Sequence, residues 1–146
     1  MNTAALDRQL SARECTRLLR SVPTGRLLYT EDALPAVRPV TFTVLRGEVI
    51  IPTGPNSWFD RFDGTFVAFE AGELDVPSRI GWTVLALGHA RVTDDPGDLA
   101  GYGEATSPRS RNNIGLRHVV VDIERLTGRC VTLTDNLPTM RRTSAA

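Results

Sequence analysis

Lysine is absent from this 146-residue chain, and all seventeen basic side chains are arginine. The absence excludes Schiff-base chemistry by the protein's own amines. Any phosphate or carboxylate bound by a basic side chain must therefore be met by a planar guanidinium. Seventeen acidic residues balance the arginines, so net charge gives no argument for nucleic acid or an anionic membrane as partner. Histidine is scarce as well: His89 and His118 fall on different expected strands, without the neighbours a metal ligand needs. Cys15 and Cys130 match no zinc or redox spacing. No run of apolar residues is long enough for a membrane-spanning helix. The N-terminus also lacks the apolar centre of a signal peptide, so the cytoplasm is the expected compartment.

Several enzyme signatures are missing too. There is no Gly-x-Ser-x-Gly elbow, which removes the α/β-hydrolase reading. Gly101-Tyr102-Gly103 lacks a third glycine and follows no strand, so it is not a dinucleotide fingerprint. Glu70, Glu73, Asp94 and Asp95 read as solvated turn charges rather than an acid–base pair. Arg109, Arg111 and Arg117 form a basic patch without the interleaved aromatics of a single-strand binder.

What is present is strand pattern. A chain of this length suits one domain burying roughly 70% of its unfolded surface. Ser11-Ala12-Arg13-Glu14 is a capping box, with Leu10 and Cys15 placed for a hydrophobic staple. Cys15, Leu18, Leu19 and Val22 then make one apolar helical face, ended by Pro23-Thr24-Gly25. Six strands are expected after it: Arg26 to Thr30, Val37 to Leu45, Glu48 to Thr53, Thr65 to Ala71, Ile80 to Thr93 and His118 to Glu124. Glu31 to Pro35 reads as a turn, Arg46-Gly47 as a tight hairpin, and Gly72 to Arg79 as a surface loop. Trp58 to Phe62 reads as one helical turn. Pro39 and Pro52 lack amide donors, so each needs an edge, a bulge or a ligand-facing position. Trp82, Val84, Ala86, Gly88, Ala90 and Val92 share one face of the longest strand, while Leu85 and Leu87 lie on the other.

The pattern predicts a mostly β protein, a six-stranded antiparallel β-barrel with an N-terminal helix and short connecting helices. Closure removes exposed strand edges. The barrel domain is expected over 11–134, with flexible segments at 1–10 and 135–146. Strands do not alternate with crossover helices, so a doubly wound parallel sheet is excluded.

One constellation carries chemistry. Thr53-Gly54-Pro55-Asn56-Ser57 leaves a strand and meets a helical turn, where hydroxyls and backbone N–H groups suit a phosphate. An ordinary Gly-Pro turn with a capping residue is the plain alternative.

Ordered pieces of the chain extend this reading. They are Leu19-Arg20-Ser21-Val22-Pro23-Thr24-Gly25-Arg26-Leu27, Leu34-Pro35-Ala36-Val37-Arg38-Pro39-Val40-Thr41-Phe42, and Val49-Ile50-Ile51-Pro52-Thr53 with Asn56-Ser57. Val67-Ala68-Phe69-Glu70, Gly81-Trp82-Thr83-Val84, Gly88-His89-Ala90 and Leu126-Thr127-Gly128-Arg129 follow. The series, from about Ser11 to Val131, resembles the pyridoxamine 5'-phosphate oxidase-like family of FMN-binding split β-barrels. Within that family it is most similar to the bacterial branch of nitroimidazole-resistance-type reductases.

The resemblance implies a cytoplasmic homodimer with two flavin sites at the subunit interface and a flavin-type oxidoreductase activity on a small planar substrate. Pro39, Val40, Thr41 and Phe42 would run along the isoalloxazine ring, their backbone groups bonding its polar edge, with Arg38 a further cofactor-binding residue beside them. Pro52, Thr53, Asn56, Ser57 and Trp58 would make the phosphate loop, with Thr53 and Ser57 as donors. Trp82 would either wall the site or fill the core. Two positions depart from the family pattern: Pro52 stands where many relatives have arginine, and Trp58 where they often have lysine. A bound phosphate would then depend on neutral donors and on a distant arginine such as Arg38 or Arg61. The cofactor is accordingly open between FMN, the deazaflavin F420 and none. The alternative function is a non-catalytic split-barrel dimer with a binding or regulatory role.

Overall fold

A computed structural model describes residues 7–94 and 117–134. The expected loop and helical turn over 95–105, the polar stretch before Arg117 and both terminal segments lie, wholly or for the most part, outside the described residues.

Helix α1 (Ala12–Leu19) begins at the anticipated capping box. The Glu14 amide donates to Ser11 Oγ at 3.1 Å, and the Ser11 amide donates to Glu14 Oε1 at 2.9 Å. Cys15 and Leu19 are buried, Leu10 joins the same core, and Leu18 and Val22 pack against it. The amphipathic face is therefore the one the spacing predicts.

Eight strands follow among the described residues: β1 (Thr24–Glu31), β2 (Leu34–Thr41), β3 (Thr43–Leu45), β4 (Glu48–Gly54), β5 (Phe66–Asp75), β6 (Ile80–Thr93), β7 (Arg117–Asp122) and β8 (Arg125–Thr132). All pairings are antiparallel. The fold class matches expectation, but the strand count is eight rather than six. One addition arises because the expected strand from Val37 to Leu45 is cut at Phe42. The Phe42 amide donates to the Pro23 carbonyl at 3.3 Å, and its ring turns inward onto Phe69, 4.5 Å between centroids. The other addition is β8, absent from the six strands read by pattern but matching Leu126-Thr127-Gly128-Arg129, which the family resemblance makes a closing strand. A Cβ on Gly128 would meet Cys15 Sγ at 2.7 Å and the Thr83 carbonyl oxygen at 3.0 Å.

The turns are tighter than expected. Asp32 and Ala33 have φ of 51° and 65°, a two-residue hairpin in the left-handed region, so β2 already begins at Leu34. The expected loop from Gly72 shrinks to 76–79, since the β5–β6 ladder continues to Asp75 opposite Ile80. Arg46 and Gly47, at φ 53° and 78°, form the anticipated hairpin.

The strand order is β2-β1-β5-β6-β7-β4-β3, with β8 on β6. Its two ends, β2 and β3, are consecutive in the chain and separated by Phe42 alone. The sheet must therefore curl until its ends nearly meet, and because β2 and β3 do not pair, the barrel stays split. β6 makes the curl possible by serving two partners on one edge: Ile80–Leu87 pair with β8 and Ala90–Thr93 with β7. Leu27, Val49, Ile51, Val67, Phe69, Val84, Ala86, Val119 and Val121 fill the interior. Both prolines sit where a missing donor is tolerated: Pro39 on edge strand β2, and Pro52 at a register shift in β4.

Candidate functional site

A 3-10 helix, Ser57–Phe62, lies across one mouth of the barrel and sends Phe59 and Phe62 into the core. Trp58 stays half-buried above them, with Tyr29 edge-on to it at 5.8 Å and to Phe62 at 4.9 Å. Register along β2 puts Arg38 and Val40 on the inner face with Leu27, and Pro39 and Thr41 on the outer. Arg38 therefore reaches the barrel mouth, where its guanidinium lies 4.6 Å from the Trp58 ring centroid and 5.0 Å from that of Phe59. The Arg61 guanidinium lies 4.4 Å from the same Trp58 centroid. One indole thus holds two cations close together, each contact contributing about 0.5–1 kcal/mol.

The loop before this helix is well tied. Asn56 caps it, its Oδ1 accepting from the Trp58 amide at 3.0 Å. The Thr53 hydroxyl donates to backbone carbonyls, Arg117 at 3.0 Å and Gly54 at 3.1 Å. Its lone pairs remain, but the proton is committed within the fold. Ser57 is exposed and its hydroxyl bonds to nothing among the described residues.

Three arginines lie close to this loop and helix. Arg61 donates through Nε to the Trp58 carbonyl at 3.1 Å and through Nη1 to Glu31 Oε2 at 2.5 Å. Arg117 pairs with Asp60 on the helix, and its Nε is buried without an acceptor among the described residues. Arg38 has no carboxylate partner among the described residues. Burial pushes the His118 imidazole, opposite Pro52, below its ordinary range, so it is neutral near pH 7.

The structure therefore brings Arg38, Thr53, Asn56, Ser57 and Trp58 to one mouth, with Pro52 leading into them. Pro39, Val40, Thr41 and Phe42 run along the adjoining open edge, Phe42 with its ring in the core. Trp82 is elsewhere. It lies opposite Glu73 at the far end of β5 and β6, packs against the core, and lines a separate cleft of about 360 Å³ under α1. Of its two sequence readings, the core packing is the one the geometry displays. Arg117 was visible in sequence only as part of a basic patch. Its place beside Thr53, 64 residues earlier, comes from the β4–β7 pairing.

A family model for pyridoxamine 5'-phosphate oxidase matches residues 11–130. The chain belongs to that family. It is 38% identical over 108 residues to uncharacterized protein Rv0080 of Mycobacterium tuberculosis, covering 68% of this chain and 70% of that one. Its fold is similar to that of the FAD binding protein from Mycobacterium smegmatis, with 32% identity, a TM-score of 0.71, and coverage of 86% of this chain and 98% of the relative. A FAD-binding protein from Mesorhizobium loti shares the fold at 22% identity and a TM-score of 0.65, covering 87% and 99% of the two chains. Family membership accounts for the split barrel. No described helix is long and apolar enough to cross a membrane.

Proposed function

We propose that this family member is a homodimeric flavin-dependent redox protein acting on a small planar substrate. The observation that carries the reading is the arginine cluster at the barrel mouth, above all the buried Arg117 Nε, which has no acceptor among the described residues, beside the Thr53–Ser57 loop. An orphaned buried donor costs about 1–3 kcal/mol, and a phosphate oxygen would relieve it. Arg38, uncommitted to any carboxylate, and the free Ser57 hydroxyl complete a donor set that fits a flavin phosphate without the two basic residues missing at Pro52 and Trp58. A flavin so held supplies hydride or electron transfer, and the protein positions its ring. The open edge of β2 offers backbone groups to the ring's polar rim over Pro39 to Phe42. That the M. smegmatis relative is an FAD binding protein supports a flavin here.

The outer face of the β2-β1-β5-β6 sheet supports the dimer. Val37 is 55% exposed there, and half-buried Leu28, Ala68, Leu85 and Leu87 belong to no core cluster. This apolar row, bordered by the Arg26–Glu70 ion pair, suits a second copy of the chain, which would wall the ring from the other side.

Absorption spectra of the purified protein, with FAD, FMN or F420 added, test the cofactor. A flavin spectrum or saturable quenching is expected, and no binding at millimolar excess would overturn the reading. A second reading, a non-catalytic binding or regulatory dimer, draws on Trp58, whose ring occupies the position expected of a phosphate-binding lysine; that null result would favour it. Light scattering should give a dimer, and Leu85→Glu, which places a charge on the apolar face, should give a folded monomer. A wild-type monomer would remove the interface site.

A further inference from the structure

Next to the arginine cluster lies a cleft of about 560 Å³ to which no role has been given. It opens between the β1–β2 hairpin and the end of the 3-10 helix, and Tyr29, Thr30, Glu31, Asp32, Arg61 and Phe66 line it. Its volume falls within the roughly 300–1,000 Å³ typical of small-molecule sites. Arg61 belongs to both places: one part of its guanidinium lies over Trp58, while Nη1 is bonded to Glu31 in the cleft wall.

The lining has a defined chemistry. Tyr29 and the 54%-exposed Phe66 offer aromatic surface to a flat heterocycle. Asp32 carries no ion pair among the described residues, so its carboxylate is free to accept from a pair of vicinal hydroxyls, as acidic residues do for ribose in dinucleotide sites. Arg61 stands between this wall and Arg38, where a phosphate chain leaving the loop would pass. Guanidinium forks suit such bridging phosphates. An aromatic platform, a free carboxylate and a shared cation form the complement of adenosine linked through a diphosphate.

We propose that this cleft receives the adenosine of FAD, with Arg38 and Arg61 on the diphosphate, so that the protein selects FAD over FMN. The inference rests on the flavin reading, yet it fails separately from it. The Asp32–Ala33 hairpin holds the carboxylate on a rigid two-residue turn, and Asn is tolerated in the same left-handed conformation.

Fluorescence or calorimetric titration of the purified, flavin-free protein with FAD, FMN and ADP tests it. FAD should bind at least tenfold more tightly than FMN, and ADP should compete with FAD. Asp32→Asn should weaken FAD about fivefold to tenfold and leave FMN unchanged. Thr30→Trp, which fills the cleft from an exposed strand position, should bring FAD down to the FMN level, with circular dichroism reporting an intact fold. Equal affinities of the wild type for FAD and FMN would overturn the adenosine site while sparing the flavin reading. Failure to bind either flavin would overturn both. FAD preference that survives both substitutions would refute the location in this cleft.

Discussion

Replacing Gly88 with alanine tests the crossing on which the barrel depends. At this position β6 changes partner from β8 to β7, and the connection between those two strands passes directly over it. A Cβ on residue 88 would fall on the Asp122 carbonyl oxygen, with the carbonyl carbon at 2.8 Å and the Glu124 nitrogen at 3.3 Å. Neither backbone can give way freely. Glu124 N donates to the Leu87 carbonyl at 2.8 Å, Ile123 N to the Gly47 carbonyl at 3.0 Å, and His89 N to Glu124 Oε2 at 2.9 Å. Overpacking costs about 1–3 kcal/mol, and a displaced hydrogen bond about 1 kcal/mol more, giving a loss of about 2–4 kcal/mol. For a domain of this size that corresponds to a fall in Tm of about 4–16 °C. The sign discriminates between explanations. Gly88 does not have the left-handed φ that would demand glycine. Were close approach unimportant, alanine would stabilise by about 0.4–1 kcal/mol through the unfolded chain. Thermal unfolding followed by circular dichroism, with urea midpoints as a second measure, decides the question. A variant as stable as the wild type, or more so, would refute the crossing argument.

Ser11→Ala removes one arm of the capping box and should lower the urea-unfolding free energy by about 1 kcal/mol, without changing strand content. Stability should also fall on mild acidification. The folded His118 takes a proton less readily than the unfolded chain because burial disfavours the imidazolium. The unfolded state therefore binds more protons as pH drops through the ordinary imidazole value of 6.5 toward the lower folded one, and folding weakens over that window. Urea midpoints at roughly pH 5.5 and 7.5 should differ in the wild type and converge in His118→Gln. A second loss should come further down. The carboxyls of Glu14, bonded by the Ser11 amide and by Arg8, and of Glu124, bonded by His89, both titrate below the usual range. The stability they contribute is present above pH 4.5 and disappears as pH falls through their lowered values.

Local pattern carried much of this architecture. The capping box, the i, i+3, i+4, i+7 face of α1, the Arg46-Gly47 hairpin and the alternation along β6 are short-range features, and each formed where its spacing placed it. The strand from Val37 to Leu45 did not, because its break at Phe42 is imposed by a carbonyl on Pro23 and a ring on Phe69, neither of which is near in sequence. β8 was legible only through the family resemblance, which makes Leu126 to Arg129 a closing strand; periodicity did not show it, and the close approach of Cys15 and Thr83 to Gly128 is a tertiary feature. At the candidate site, residue types alone indicated a loop of hydroxyls and backbone N–H groups over Thr53 to Ser57, and only the family resemblance marked Pro52 and Trp58 as positions where relatives carry cations. Tertiary structure brings other arginines to the same place. The inward side of β2 carries Arg38 to Trp58, the 3-10 helix returns Arg61 to the same ring, and β7 pairs with β4 to set Arg117 beside Thr53. The sequence by itself thus determined the helix, the strand-forming segments and the absence of lysine, since these depend on periodicity and composition. Which arginines gather at the barrel mouth, and that Trp82 is not among their neighbours, was decided by strand register and closure, because both join residues tens of positions apart.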